Sequence, residues 1–383
     1  MAANFDSNYP SVDDLRNKAK SRIPRFAFEY LDGGCNEDVS LARNTSEIRK
    51  VQLEPRYLQN YGTSSIKTKV MGMEFDSPFG IAPVGLQGLM WPNSPAILAK
   101  AAFNHNVPFI LSTVTTMDIE KASELTEGNA WFQLYNPVDD AIRDDLIDRA
   151  QAAGCPVLVL LCDVPTFGFR PRDFKNGLAL PPKMTLANIL QILGKPTWAY
   201  NTLKYGQPTF ENLKPYTPEG LNLKQLGAFM DKTFSGRLNE EKIKPIRDKW
   251  KGKLVLKGVA SEQDTKDAIK MGFDGIILSN HGGRQLDAAQ STIGTLQDIA
   301  STYGDQIEIM LDSGLRSGPD IARVMASGAK FTFMGRSFMY GAGALGNKGG
   351  DHTIGMLKTQ FKQVMDQLCC ERVEDLPKHL IKK

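Results

Sequence analysis

Eight short apolar runs, bounded by turn residues and mostly separated by helix-length amphipathic stretches, restrict what this chain can fold into more than any other feature. They are FGIAPV (79–84), PFILST (108–113), AWFQLY (130–135), VLVLLCD (157–163), KLVLKG (253–258), GIILSN (275–280), IEIMLDSG (307–314) and FTFMGR (331–336). Strands that are apolar throughout, rather than at alternate positions, belong to a parallel sheet covered on both faces by its crossover helices. The intervening segments SPAILAKAAFNHN and SEQDTKDAIKMGF carry helical periodicity behind the N-caps Ser94 and Ser261. Eight such units predict an α/β fold closed as a (β/α)8 TIM barrel, with N-terminal helices supplied by residues 1–78. The whole chain, 1–383, reads as one barrel domain. The interval 164–252 is too long for an ordinary βα connection, which predicts a long insertion after strand 4, placed at 171–250, lying over the barrel mouth.

Charge and cysteine usage narrow the function classes. Lysine and arginine number 46 against 43 aspartates and glutamates, a net charge of +3. No global basic field therefore argues for nucleic acid. Five cysteines, at 35, 155, 162, 369 and 370, form neither a disulfide framework nor a metal-ligand spacing, so a reducing, cytoplasmic setting and no metal are expected. The opening MAANFDSNYPSVDDLRNKAK has charges throughout and does not read as a secretory signal. No run of 18 apolar residues occurs, so a spanning helix is not expected and the chain reads as soluble or lying on a membrane.

In a barrel the site is built where strands end and βα loops begin. Strand ends here offer Gly85, Ser112, Gln133, Tyr135, Asp163, Lys257, Ser279, His281, Asp312, Arg316, Gly335 and Arg336. SNHGGRQLD (279–287) is the strongest segment: a histidine directly after an apolar strand, two glycines that admit close backbone approach, and an arginine whose fork suits a carboxylate. His105, His352 and His379 read as structural or exposed. LDSGLRSGPDI (311–321) and FMGRSFMYG (333–341) have the glycines and arginines of a phosphate cradle, which barrels commonly place after strands 7 and 8. Lys257 ends an apolar strand, where a charge must face a ligand or counter-ion; charge stabilisation and Schiff-base chemistry are both open to it. GAGALG (341–346) matches G-x-G-x-x-G but follows the last strand, so it reads as a helix-packing site rather than a dinucleotide fingerprint.

Taken in order, IPRFAFEYLDGG (23–34), LKG (256–258), SNHGGRQLD, DSGLRSG (312–318) and GR (335–336) resemble the FMN-dependent α-hydroxyacid dehydrogenase and oxidase family. That family includes glycolate oxidase and the membrane L-lactate and mandelate dehydrogenases. The resemblance implies FMN as cofactor and His281 as active-site base, with Asp163 orienting it and favouring its protonated form. It further implies that Arg284 and Tyr30 hold the substrate carboxylate, that Tyr135 contacts the hydroxyl, and that Arg170 stands at the entrance. Lys257 would lie near flavin N1, a better fit than a Schiff base. Flavin contacts are implied for Val84, Gly85, Ser112, Gln133 and Ser279, ribityl contacts for Asp312, and phosphate contacts for Ser313, Gly314, Arg316, Gly335 and Arg336. One departure is plain: Leu161 stands where relatives often have threonine, leaving backbone groups or Cys162 to replace a hydroxyl.

The implied reaction oxidises an (S)-2-hydroxyacid to the 2-oxoacid. Val114, where glycolate oxidases carry a larger aromatic residue, suggests lactate or larger, including mandelate. Gly85 in PVGL, where oxidases generally have alanine, favours a quinone or other electron carrier over oxygen. An oxygen-using oxidase that makes hydrogen peroxide is the alternative, and a non-catalytic FMN-binding scaffold the remote one. Within 184–210, Leu186, Ile189, Leu190 and Leu193 form a helical apolar stripe, and Lys195, Trp198, Tyr200 and Lys204 read as interfacial anchors. Docking on the inner face of the cytoplasmic membrane is expected; the competing reading packs the stripe as a lid. The resemblance also implies a homotetramer.

Overall fold

The computed structural model describes residues 5–178, 185–218, 233–234 and 237–381. Each of the eight apolar runs contains a strand or overlaps one: β1 (Phe79–Ile81), β2 (Ile110–Ser112), β3 (Trp131–Leu134), β4 (Val157–Leu161), β5 (Lys253–Val259), β6 (Gly275–Leu278), β7 (Glu308–Leu311) and β8 (Phe331–Met334). They pair in parallel in the order β1-β8-β7-β6-β5-β4-β3-β2. The two ends of the sheet meet through a bridge between Ile81 and Phe109, where the Ile81 amide donates to the Pro108 carbonyl at 2.9 Å. The barrel is thus closed along a short seam.

Alternation within each strand divides the core into two layers. Val157 and Val159 of β4 pack in the interior with Val255, Ile277, Met310, Phe331 and Phe333, whereas Leu158 and Leu160 join the helix layer outside. The interior is filled: the rings of Trp131 and Phe333 meet edge-on at 5.5 Å. Residues before β1 hold the expected helices, Val12–Arg22, Arg25–Asp32 and Val39–Lys50. They also hold an antiparallel hairpin, Thr68–Val70 with Met73–Phe75, which the apolar pattern does not announce. Its two-residue turn takes positive φ at both Met71 (51°) and Gly72 (81°), a geometry that suits the twist of a hairpin. Phe75 packs 5.8 Å from Phe331 and the Met71 amide donates to Glu308 at 2.9 Å, so the hairpin plugs the end of the barrel opposite the strand C-termini.

GAGALG lies at the end of helix Arg336–Leu345 as a packing site. An added Cβ at Gly343 would stand 2.6 Å from Cδ1 of Ile23 and 3.1 Å from Cβ of Ala19, so glycine there lets the Val12–Arg22 helix approach closely.

Within the long connection between β4 and β5 are helices Pro171–Lys175, Leu186–Leu193, Pro196–Tyr205 and Glu240–Lys249. Met184, the first residue of the expected docking segment, lies outside the described residues. The stripe does not pack as a lid: Leu186, Leu190 and Leu193 are 73%, 61% and 70% exposed, and Leu203 is 85% exposed. Trp198, expected as an interfacial anchor, is instead buried. Its indole N–H lies 3.2 Å from the carbonyls of both Leu89 and Met90, and its ring meets Phe26 edge-on at 6.0 Å. Lys195 likewise turns to the Ser21 carbonyl at 2.7 Å. Tyr200 is exposed, and the Lys204 ammonium lies 5.1 Å from the Tyr205 ring centroid. Among the described residues no helix is long and apolar enough to cross a membrane.

Candidate active site

The βα loops bring the polar strand-end residues together at one mouth. After β6 the chain turns through His281 (φ 57°), Gly282 (67°) and Gly283 (73°), left-handed conformations that an ordinary side chain resists. The His281 amide donates to Ser279 Oγ at 3.1 Å, which fixes the turn. Its ring lies between two partners, Nδ1 3.2 Å from Asp163 Oδ1 and Nε2 3.5 Å from the Tyr135 hydroxyl.

Burial is the largest influence on His281 and lowers its pKa below the usual imidazole value, against the raising effect of Asp163. Asp163 does favour the protonated imidazole, as expected, but burial outweighs it and the net direction is down. Asp163 orients the ring, while desolvation favours its neutral form. Burial pushes the Asp163 carboxyl up, but His281 and Lys257 outweigh it and hold the group ionised. Burial also raises the Tyr135 phenol, so it keeps its proton.

Arg284 lies with Cζ 4.9 Å from the Tyr30 ring centroid and donates through Nη1 to the carbonyls of Tyr30 (2.7 Å) and Gly33 (2.8 Å). Burial lowers its pKa to about 10, which marks a guanidinium short of anionic partners. Arg170 approaches Gln285 Oε1 at 3.4 Å and Asp173 at 3.8 Å, and its buried Nε has no hydrogen-bond partner among the described residues. Burial raises the Asp173 carboxyl despite Arg284 and Arg170 nearby.

Lys257 is 3% exposed, with Nζ 3.0 Å from Asp312 Oδ2 and 2.9 Å from Ser279 Oγ. Burial works to lower its pKa, yet Asp312 and Asp163 outweigh it and the net direction is up. An ammonium paired with Asp312 is no nucleophile, which argues against the Schiff-base alternative. Ser313 Oγ donates to Asp312 Oδ1 at 2.7 Å and accepts from the Gly282 amide at 2.9 Å. Hydrogen bonds thus run in a closed circuit from His281 through Ser279, Lys257, Asp312 and Ser313 to Gly282, tying the ends of β5, β6 and β7 together.

Arg336 opens the helix after β8 and donates to the carbonyls of Leu31 (2.9 Å), Gly282 (2.8 Å) and Gly33 (2.8 Å). Burial lowers it to about 9. Arg316 reaches its neighbour's carbonyl at Leu315 (2.8 Å) and, with Arg16, Arg49 and Arg172, lines a cleft of about 320 Å³. Ser112 and Gln133 are buried on adjacent strands, and Val84 faces Gly335, whose added Cβ would lie 3.2 Å from Val84 Cγ2. Gly85 faces Val114 in the same way at 3.1 Å. Cys162 directs its thiol to the Lys257 carbonyl at 3.2 Å and lines an outer cavity with Ile243 and Asp264, so it does not replace the hydroxyl missing at Leu161.

The sequence profile described as FMN-dependent dehydrogenase matches residues 19–383. The chain belongs to the FMN-dependent dehydrogenase family. An L-lactate dehydrogenase of Caulobacter sp. (strain K31) is 35% identical over 374 residues, 97% of this chain and 98% of that protein. One from Haemophilus influenzae (strain 86-028NP) is 36% identical over 356 residues, 93% of each chain. Among solved structures, the monotopic membrane protein (S)-mandelate dehydrogenase superposes with a TM-score of 0.93 at 32% identity, over 98% of this chain and 100% of that one. As a member of the FMN-dependent dehydrogenase family, the chain is a flavin-dependent oxidoreductase.

The residues at the mouth fit FMN. Arg336, half-buried and with only carbonyl hydrogen-bond partners among the described residues, has charge to spare for a phosphate, and Arg316 and Gly314 stand on the neighbouring loop. The Lys257 ammonium suits a ring that becomes anionic on reduction. Sequence reasoning misses Asp173, Gln285, Asn44 and Asn280. Asn280 sits inside SNHGGRQLD, so its place beside His281 is the available signal; Asn44 carries none.

Proposed function

We propose that this enzyme oxidises an (S)-2-hydroxyacid, lactate-like or larger and including mandelate, to the 2-oxoacid and passes the electrons to a quinone or other carrier at a membrane. The observation that carries this reading is the line Tyr135–His281–Asp163 beside the stacked Arg284 and Tyr30. Arg284 and Tyr30 hold the substrate carboxylate, with Arg170 at the entrance. Tyr135 contacts the hydroxyl. With Nδ1–H directed at Asp163, Nε2 of the neutral His281 is free to take a proton. FMN, when bound, supplies the two-electron acceptor for the α-carbon. Lys257 holds positive charge against the flavin ring, with Val84, Gly85, Ser112, Gln133 and Ser279 around it. Asp312 takes the ribityl chain, and Ser313, Gly314, Arg316, Gly335 and Arg336 take the phosphate. Val114 borders the substrate side chain.

The chain acts as one domain, 1–383, in a homotetramer, with the 171–250 insertion as its docking element. The exposed leucines of 186–203 support the docking role, as does the description of the (S)-mandelate dehydrogenase as monotopic. Anaerobic mixing of the yellow holoenzyme with a panel of 2-hydroxyacids tests the chemistry: bleaching by one enantiomer supports it, and a flavin that stays oxidised with every acid defeats it. Reoxidation by oxygen as fast as by a quinone analogue would move the enzyme to the oxidase class.

A further inference from the structure

We propose that Asn44, on a helix outside the barrel, is a positioning residue that holds the His281 loop and the glycine-rich loop after β7 in one geometry. The inference rests on the reading that His281 is the base and that Gly314 belongs to the phosphate cradle. Asn44 and Asn280 form a reciprocal amide pair: Asn44 Nδ2 donates to Asn280 Oδ1 at 2.7 Å, and Asn280 Nδ2 donates to Asn44 Oδ1 at 2.7 Å. The two are 1% and 7% exposed, so water does not compete for these bonds. Asn280 Oδ1 also accepts the Gly283 amide at 3.0 Å, which closes the turn bearing His281 and Gly282. Asn280 directly precedes His281, so any movement of its side chain is passed to the left-handed backbone that aims the imidazole.

The same helical turn grips the second loop. Thr45 Oγ1 donates to the Gly314 carbonyl at 2.7 Å. Gly314 lies against Asn44 so closely that an added Cβ would stand 2.8 Å from Asn44 Cβ. Gly314 has φ 97°, and Ser313 beside it accepts the Gly282 amide. Asn44 therefore touches both loops, one by amide pairing and one by packing. Only an amide makes both bonds of the pair: an aspartate at 44 would set an oxygen against Asn280 Oδ1 with no hydrogen between them, and a serine would leave Asn280 Nδ2 only its longer bonds to Ser40 Oγ (3.3 Å) and the Gln290 carbonyl (3.4 Å).

The test uses the FMN holoenzyme with Asn44→Ser, Asn44→Asp and Thr45→Val, and His281→Asn as control. Two quantities are read: anaerobic flavin reduction per bound flavin at saturating L-lactate or (S)-mandelate, and the FMN dissociation constant from flavin fluorescence. Both Asn44 variants should lose about tenfold or more in each quantity together, and Asn44→Asp should move the His281 limb of the pH profile upward, because a buried negative charge favours the imidazolium. Thr45→Val should lose FMN affinity by a larger factor than reduction rate. Should Asn44→Asp fail to fold, Asn44→Ser decides, since it removes the amide without adding charge. Asn44 variants that lose thermal stability but keep both wild-type values, beside a slow His281→Asn, overturn this inference alone. A His281→Asn enzyme that reduces its flavin at the wild-type rate overturns the base assignment, and this inference with it.

Discussion

His281 and Asp163, 118 positions apart in the chain, meet at 3.2 Å across the barrel mouth, where burial outweighs the carboxylate and lowers the His281 pKa. A base must be neutral to act. The lowered His281 pKa places the ascending limb of kcat/KM below the usual 6.5, with activity held above it. Asp163→Asn removes the ion that raises His281, so the limb should move to still lower pH while turnover falls by about a hundredfold as the tautomer is released. A pH series of kcat/KM for both enzymes checks the direction; an Asp163→Asn limb at higher pH would contradict it.

Lys257 and Asp312 are a buried pair, and removing one partner strands the other. Lys257→Met should cost about 3 kcal/mol of stability in denaturant. It should also lower the flavin reduction potential, because positive charge beside the ring favours its reduced form. Redox titration of the recovered holoenzyme reads the second effect. An unchanged potential would remove Lys257 from the flavin's surroundings.

Gly85 leaves room that is measurable. An alanine Cβ there would lie 3.1 Å from Val114 Cγ2, close enough that Val114 must give by a few tenths of an ångström. Gly85→Ala should fold, and it should raise the rate with oxygen relative to a quinone analogue, in keeping with the alanine that oxidases generally carry. Stopped-flow reoxidation of the reduced enzyme compares the two acceptors, and an unchanged ratio would show that Gly85 does not set acceptor choice.

Replacing the whole 184–210 segment would disturb the site, because its inner face grips the barrel. Gln191 Oε1 accepts the Phe26 amide at 3.0 Å on the helix that carries Tyr30. Point substitutions separate the roles. Leu190→Asp with Leu193→Asp should abolish co-sedimentation with anionic vesicles and leave anaerobic reduction unchanged, since both side chains are mostly exposed. Trp198→Ala should instead cost about 3 kcal/mol of stability. A doubly substituted protein that still sediments with vesicles would rule out this face as the docking surface.

The strand-end residues are legible in the sequence because a parallel barrel delivers every strand C-terminus to one mouth. Tyr135, Asp163, Lys257 and His281 can be gathered from chain order alone. The hairpin at 68–75 is not legible, since its strands are short and its turn depends on a left-handed Met71. Trp198 escapes for a related reason: a helix pattern states which residues are apolar, not which face meets protein.

The sequence by itself determined the eight-stranded barrel, the flavoenzyme family and the identity of the polar groups at the mouth, because these follow from periodicity and from motifs contiguous in the chain. Only the tertiary structure decided the direction in which the His281 pKa moves, the circuit from Lys257 to Gly282, and the meeting of Asn44 with Asn280. Proton affinity depends on how completely water is excluded, and amide pairing on two side chains 236 positions apart arriving in register. Neither quantity is local, so neither is written in any one segment of the chain.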